Sequence, residues 1–188
     1  MSIVRAKMGS QMGWFTTSDT PHPDLYGRVT NPQRYAVLHE ETTSLIENLV
    51  STYDVISEPG NVALDFPEWK GSTGDAIRLH PTQGTPVAFL FTDFPGVVIR
   101  FGEWEADAFP NCGCDACDEK PDDVMTRMTN LIDLIIAGGY QEVLTKRSLR
   151  QSFDWPQGLS ITERRVGRVE RRRLGQPASH KWQPWPRR

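Results

Sequence analysis

A chain of 188 residues, 38% of them hydrophobic, has the material for one domain with its own core and no need of cysteine staples. Its apolar runs are only a few residues long, against the roughly 18 a membrane helix requires, so no membrane span is expected. The net charge of −3 hides an asymmetry: residues 1–163 carry 12 basic and 23 acidic side chains, whereas residues 164–188 carry nine basic ones and only Glu170. A cationic tail on an anionic body can bind nucleic acid or anionic lipid, or fold back on its own acidic domain.

Residues 1–30 read as an irregular leader packed on the body. Gly9, Gly13, Pro21, Pro23 and Gly27 punctuate it, and Trp14, Phe15, Leu25 and Tyr26 are the side chains available to pin it. Arg5 and Lys7 have no apolar stretch behind them, so a secretory signal is not expected and cytoplasmic residence is. Asn31 as N-cap and Pro32 at the first position open a helix that runs to Tyr53. Tyr35, Leu38, Thr42, Leu45 and Leu49 line one of its faces, with Ile46 beside them.

The period then changes. Val62, Leu64 and Phe66 alternate between Pro59-Gly60 and Pro67, which predicts a short strand. Lys70 to Gly74 predicts a turn and Ala76 to His80 a further strand. Pro86–Phe91 and Val97–Trp104 flank Thr92-Asp93-Phe94-Pro95-Gly96 and predict a hairpin. A second helix is expected from Pro121, with Asp122 and Asp123 facing its dipole and Val124, Met128, Leu131, Ile132, Ile135 and Ile136 as its buried stripe. Gly138-Gly139 ends it. Tyr140–Leu144 and Arg147–Trp155 are expected to return to the sheet. Residues 161–173 suit either a strand with a basic extension or a short basic helix. Beyond Gly175, Trp182 and Trp185 among prolines suit a strap across the domain.

These elements predict an α+β protein: an antiparallel sheet of about four to six strands, with two main helices packed against it. The expected organisation is a leader over 1–30, a single α+β domain over 31–163 and a basic C-terminal tail over 164–188.

All three cysteines, Cys112, Cys114 and Cys117, lie within six residues as C-x-C-x-x-C. An odd, clustered set argues against an extracellular disulfide framework. Soft anionic thiolates gathered at close spacing suit zinc, but a closed structural site wants four ligands. His39, His80, His22, Asp115 and Asp118 are the candidates for the fourth. Cys114 and Cys117 also form a C-x-x-C pair of the kind that cycles as a disulfide, although the nearest helix starts after Cys117 and the acidic surroundings disfavour thiolates. Inert thiols in a tight loop are the third reading.

Other constellations are weaker. Glu103 and Glu105 could act as acid and base if one were buried; a solvated edge is the expectation. His39 belongs at the rim of the first helix's apolar face. Arg171, Arg172 and Arg173 are the candidate nucleic-acid-binding residues, although the negative body argues against a broad polyanion surface. No phosphate loop, dinucleotide fingerprint or H-E-x-x-H motif is present.

Asp24-Leu25-Tyr26-Gly27-Arg28-Val29-Thr30-Asn31-Pro32-Gln33-Arg34-Tyr35 with Leu38-His39, together with Cys112 through Glu119, resembles the DUF6226 family of uncharacterised actinobacterial proteins. The resemblance covers roughly residues 24–155 and leaves the arginine-rich C-terminus outside. It implies a bacterial cytoplasmic protein and no activity, substrate or partner. The leading expectation is an accessory or interaction protein, with an unknown protein partner, whose cysteine loop is structural and a candidate for zinc. The alternatives are a thiol-redox or zinc-dependent enzyme using that loop, and a nucleic-acid-associated protein acting through the basic tail.

Overall fold

Apolar spacing of three and four residues gives the chain two amphipathic helices, and both need a nonpolar surface to cover. In the computed structural model, which describes residues 21–69 and 71–188, these are α1 (Val37–Thr52) and α3 (Pro121–Ile136). They lie on one face of a five-stranded antiparallel sheet: β1 (Val55–Pro59), β2 (Ala76–Pro81), β3 (Val87–Phe91), β4 (Val97–Phe101) and β5 (Glu105–Phe109), in that spatial order. Leu38, Ile46 and Leu49 of α1 and Val124, Met128, Leu131, Ile132 and Ile135 of α3 bury against Leu79, Val87, Phe89, Val97, Ile99 and Phe101. The predicted β3–β4 hairpin is present, with Phe91 opposite Val97.

Asn31 and Pro32 open a 3-10 turn, Pro32–Tyr35, rather than the helix itself, and the Asn31 side chain makes no capping hydrogen bond. The strand expected over Val62–Phe66 is also not there. Residues Val62–Asp65 form a single helical turn, α2, followed by a 3-10 turn at Pro67–Trp69. Asn61 is the reason. Its side chain accepts the Leu64 N–H at 3.2 Å while its own N–H donates to Asp65 Oδ2 at 2.6 Å, satisfying the donors at the turn's start. Val62 and Phe66 then share a face, and both pack on the outer side of the sheet.

Past Gly138-Gly139 the chain builds a second sheet instead of extending the first. β6 (Tyr140–Leu144), β7 (Ser148–Trp155), β8 (Gly158–Arg165) and β9 (Ala178–Lys181) take the order β8-β7-β6-β9. An aromatic cluster joins the two: Tyr140 lies edge-on to Phe101 at 5.0 Å between ring centroids, and Phe153 lies 5.1 Å from Tyr140. Residues 161–173 contain both proposed forms, the end of β8 and then a short helix, α4 (Arg168–Leu174).

The end of the chain crosses the domain. β9 pairs with β6, Trp182 stacks on Tyr140 at 5.6 Å, and Trp185 is buried with its indole N–H donating to the Thr85 carbonyl at 2.9 Å. The Arg188 N–H then donates to the Thr52 carbonyl at 3.1 Å. The expected placement of Trp14 and Phe15, and Lys70 of the predicted turn, lie outside the described residues.

Candidate metal centre

The cysteine loop joins β5 to α3 and is held from three sides by backbone and ion-pair contacts. The segment 22–30 lies against it: Asp115 N–H donates to the Arg28 carbonyl at 2.8 Å and Ala116 N–H to the Leu25 carbonyl at 3.3 Å. That is how the leader's described end meets the body, through backbone groups and the Arg28–Asp115 pair rather than through Tyr26, which is exposed. Glu119 closes the loop, accepting the Cys112 N–H and the Arg127 guanidinium, each at 2.9 Å. Tyr35 donates its hydroxyl to the Glu119 carbonyl at 2.8 Å, so the start of the first helical region also touches the loop. Gly113 is required here: a Cβ would stand 2.3 Å from the Phe94 ring.

Within this frame the three thiols converge. Their Sγ atoms all lie within 4.8 Å of one another, and Cys112 and Cys114 approach to 3.2 Å without a disulfide. A tetrahedral zinc ion with sulfur ligands at about 2.3 Å sets its sulfurs about 3.8 Å apart, so modest side-chain rotation suits the trio to one ion. Cys114 is buried, Cys112 half-buried and Cys117 exposed. Asp118, directly after Cys117, has φ 43°, the only positive φ outside glycine among the described residues.

The three thiols share ionisation unequally. Hydrogen bonding from the Cys112 thiol, then from the backbone N–H groups of Cys117 and Gly27, lowers Cys114 to about 6. Cys117 is pushed up to about 12, first by its hydrogen bond with Cys112 and then by that with Cys114. These hydrogen bonds favour ionisation at Cys114 first; a divalent cation would let all three ionise.

The acidic surroundings are less hostile to thiolates than the sequence suggests. Asp115 accepts the Thr30 N–H and the Arg28 guanidinium, both at 2.9 Å, which holds it below the usual carboxylate range. Asp118 pairs with Arg34 at 3.1 Å. These contacts also occupy two of the expected fourth ligands. His39 bonds the Gly96 carbonyl at 2.9 Å, His80 faces Glu58 at 3.1 Å, and His22 Nδ1 accepts the Asp24 N–H at 3.3 Å. None joins the sulfur cluster among the described residues.

The tail arginines are placed apart from this loop. Arg171 donates to the Thr145 carbonyl and Arg173 pairs with Glu68 at 2.6 Å, so two of the three turn toward the body. Arg172 is exposed and has no ion pair among the described residues.

Sequence reading missed a second polar group, buried at the junction of the sheets. Glu142, fully buried, accepts the Glu103 N–H at 2.7 Å and the Tyr140 hydroxyl at 2.8 Å. Gln151 reaches from β7 to both Glu105 and the Tyr140 hydroxyl. Glu105 is therefore no solvated edge: burial pushes its carboxyl up. The available signal was a charged residue at an inward position of Tyr140–Leu144, where alternation places Glu142 with Tyr140 and Leu144.

The fold and loop together define an α+β protein with three thiols close enough together to hold a metal ion. It belongs to the family of unknown function DUF6226, whose match spans residues 4–188. The match is wider than the cysteine and Asp24–Tyr35 segments alone indicate, and the arginine-rich C-terminus lies inside it. Comparison with curated proteins and with solved structures gave no match. No helix among the described residues is long and apolar enough to cross a membrane.

Proposed function

We propose that the protein is a non-enzymatic binding or accessory protein whose Cys112, Cys114 and Cys117 hold one zinc ion in a structural role. The observation that carries this reading is the convergence of all three Sγ atoms within 4.8 Å in the loop between β5 and α3. A thiol-redox centre would need Cys114 and Cys117 as an isolated pair, whereas Cys112 is the thiol 3.2 Å from Cys114. The ion would fasten the loop between the 22–30 segment that packs on it and the start of α3. One coordination position is left for water or a small exogenous ligand. Three reduced thiols and a zinc ion fit a reducing compartment, which supports the cytoplasmic expectation.

Cobalt substitution tests this reading. Protein reconstituted with one equivalent of Co²⁺ should show thiolate-to-metal charge-transfer absorption in the near ultraviolet and the visible bands of four-coordinate cobalt. Cys117→Ser should weaken both. A spectrum of octahedral cobalt unaffected by Cys117→Ser would overturn the assignment.

A further inference from the structure

The face of the five-stranded sheet turned away from α1 and α3 is covered in part by the segment that includes α2 and the turn after it. Phe66, Val62 and Trp69 pack on Ala76, Leu90, Val98 and Ala108. Beyond that cluster the sheet carries a transverse row set by the register: Glu58 opposite Arg78, Arg78 opposite Ala88, Ala88 opposite Arg100, and Arg100 opposite Ala106. Two arginines thus flank an alanine floor on one face, their backbones about 9.5 Å apart across two strand spacings. Above the row lies a groove of about 570 Å³, bounded by α2 on one side and by Trp104 and the end of α4 on the other. The Trp104 indole N–H donates to the Leu174 carbonyl at 3.0 Å, which fixes α4 as the wall.

The lining holds three arginines and three carboxylates, but they are paired unevenly. Arg78 is fully engaged by Asp65 and Glu58, and buried Asp65 marks this as part of the fold. Arg100 and Arg173 share a single carboxylate, Glu68, at 2.7 and 2.6 Å. Arg100 Nε is buried with no hydrogen-bond partner among the described residues, although an arginine has five donors to place. Asp65, Glu68 and Glu103 balance Arg78, Arg100 and Arg173 in the lining, which disfavours a polyanion, and a monoanion gains the Arg100 and Arg173 guanidiniums only by displacing Glu68. Pro86, Ala88, Leu64 and Trp104 supply apolar surface beside the cations.

We propose that this groove is a binding site for a small carboxylic acid with an aromatic or aliphatic body. The ligand's carboxylate would pair with Arg100 and Arg173 in place of Glu68, and its body would lie over Ala88 against Trp104. Glu68 is the internal stand-in for that carboxylate. A planar two-oxygen head is what an arginine fork takes bidentately, which selects a carboxylate over a halide. The site is separate from the cysteine loop and does not depend on whether the loop holds metal.

The test is a titration of the full chain with phenylacetate, read by the indole N–H resonance of Trp104, assigned with Trp104→Phe. Saturable binding in the millimolar range or tighter is expected, with the Trp104 signal moving. Glu68→Gln frees both guanidiniums and should tighten binding by about threefold or more, whereas Arg173→Gln, on exposed α4, should weaken it by about tenfold. Arg100→Gln should do the same, with amide dispersion confirming its fold. The proposal is overturned by an unmoved Trp104 signal in both the wild type and Glu68→Gln, by binding indifferent to Arg100 and Arg173, or by an equal response to chloride at matched ionic strength.

Discussion

Glu142 on β6 accepts the backbone N–H of Glu103 at 2.7 Å, so a buried carboxylate of the second sheet holds the β4–β5 turn of the first. Gly102, immediately before that turn residue, has φ 64°, and a Cβ there would stand 2.7 Å from the Glu142 carboxylate. The two sheets are therefore joined by a polar contact as well as by the ring cluster of Phe101, Tyr140 and Phe153.

The burial of this carboxylate makes folding stability depend on pH. Burial raises Glu142 from its ordinary 4.5 to about 7, partly offset by the N–H groups of Glu103 and Trp104 and by the Tyr140 hydroxyl. A carboxyl with a raised folded-state pKa binds its proton more tightly folded than unfolded. Its protonation therefore stabilises the fold at low pH, and that contribution is lost as pH rises from about 4.5 through 7. The size is about 3 kcal/mol. Urea unfolding at pH 5 and pH 8 should show the difference, and Glu142→Gln should flatten it and be the more stable protein at pH 8. Glu105, raised by burial in the same direction, adds to the slope.

The C-terminal strap should be a main support of the core. Trp185 is 4% exposed, sits edge-on to Tyr53 at 5.9 Å and bonds Thr85 through its indole. Trp185→Ala should cost about 3–5 kcal/mol in denaturant unfolding. Trp185→Phe keeps most of the packing and should lose about 1–2 kcal/mol, the cost of leaving the Thr85 carbonyl without its donor. Equal stability of Trp185→Ala and wild type would show that the strap is not part of the folded unit.

Asn61 governs the turn that replaced the expected strand. Asn61→Ala removes the acceptor for the Leu64 N–H and should cost about 1 kcal/mol, while Asn61→Asp should retain most of it. Chemical denaturation of the two variants measures the difference.

The sequence made visible the elements whose side chains alternate between a core and water. Leu38, Thr42 and Leu49 marked α1, where Ile46 rather than the expected Leu45 completes the buried stripe, Val124 through Ile136 marked α3, and Val97, Ile99 and Phe101 marked β4. β1 and β5 escaped because their inward positions break the period: β1 buries only Val55, with Ser57 next on that side, and β5 turns Glu105 and Asp107 inward and small Ala106 and Ala108 outward. Val62–Phe66 misled because a single helical turn and a short strand both fit three apolar residues at alternate positions, and Asn61 decides between them. The cysteine cluster was plain from spacing alone. The Arg78–Ala88–Arg100 row was not, because it exists only once three strands are in register.

Elemental mass spectrometry of untagged protein purified without chelator, paired with a free-thiol titration, is the most direct test of the metal centre. About one zinc per chain is predicted, with the thiols of Cys112, Cys114 and Cys117 shielded until a chelator strips the ion. Metal-free protein that reacts at three thiols from the start, with unchanged stability on adding zinc, would contradict it.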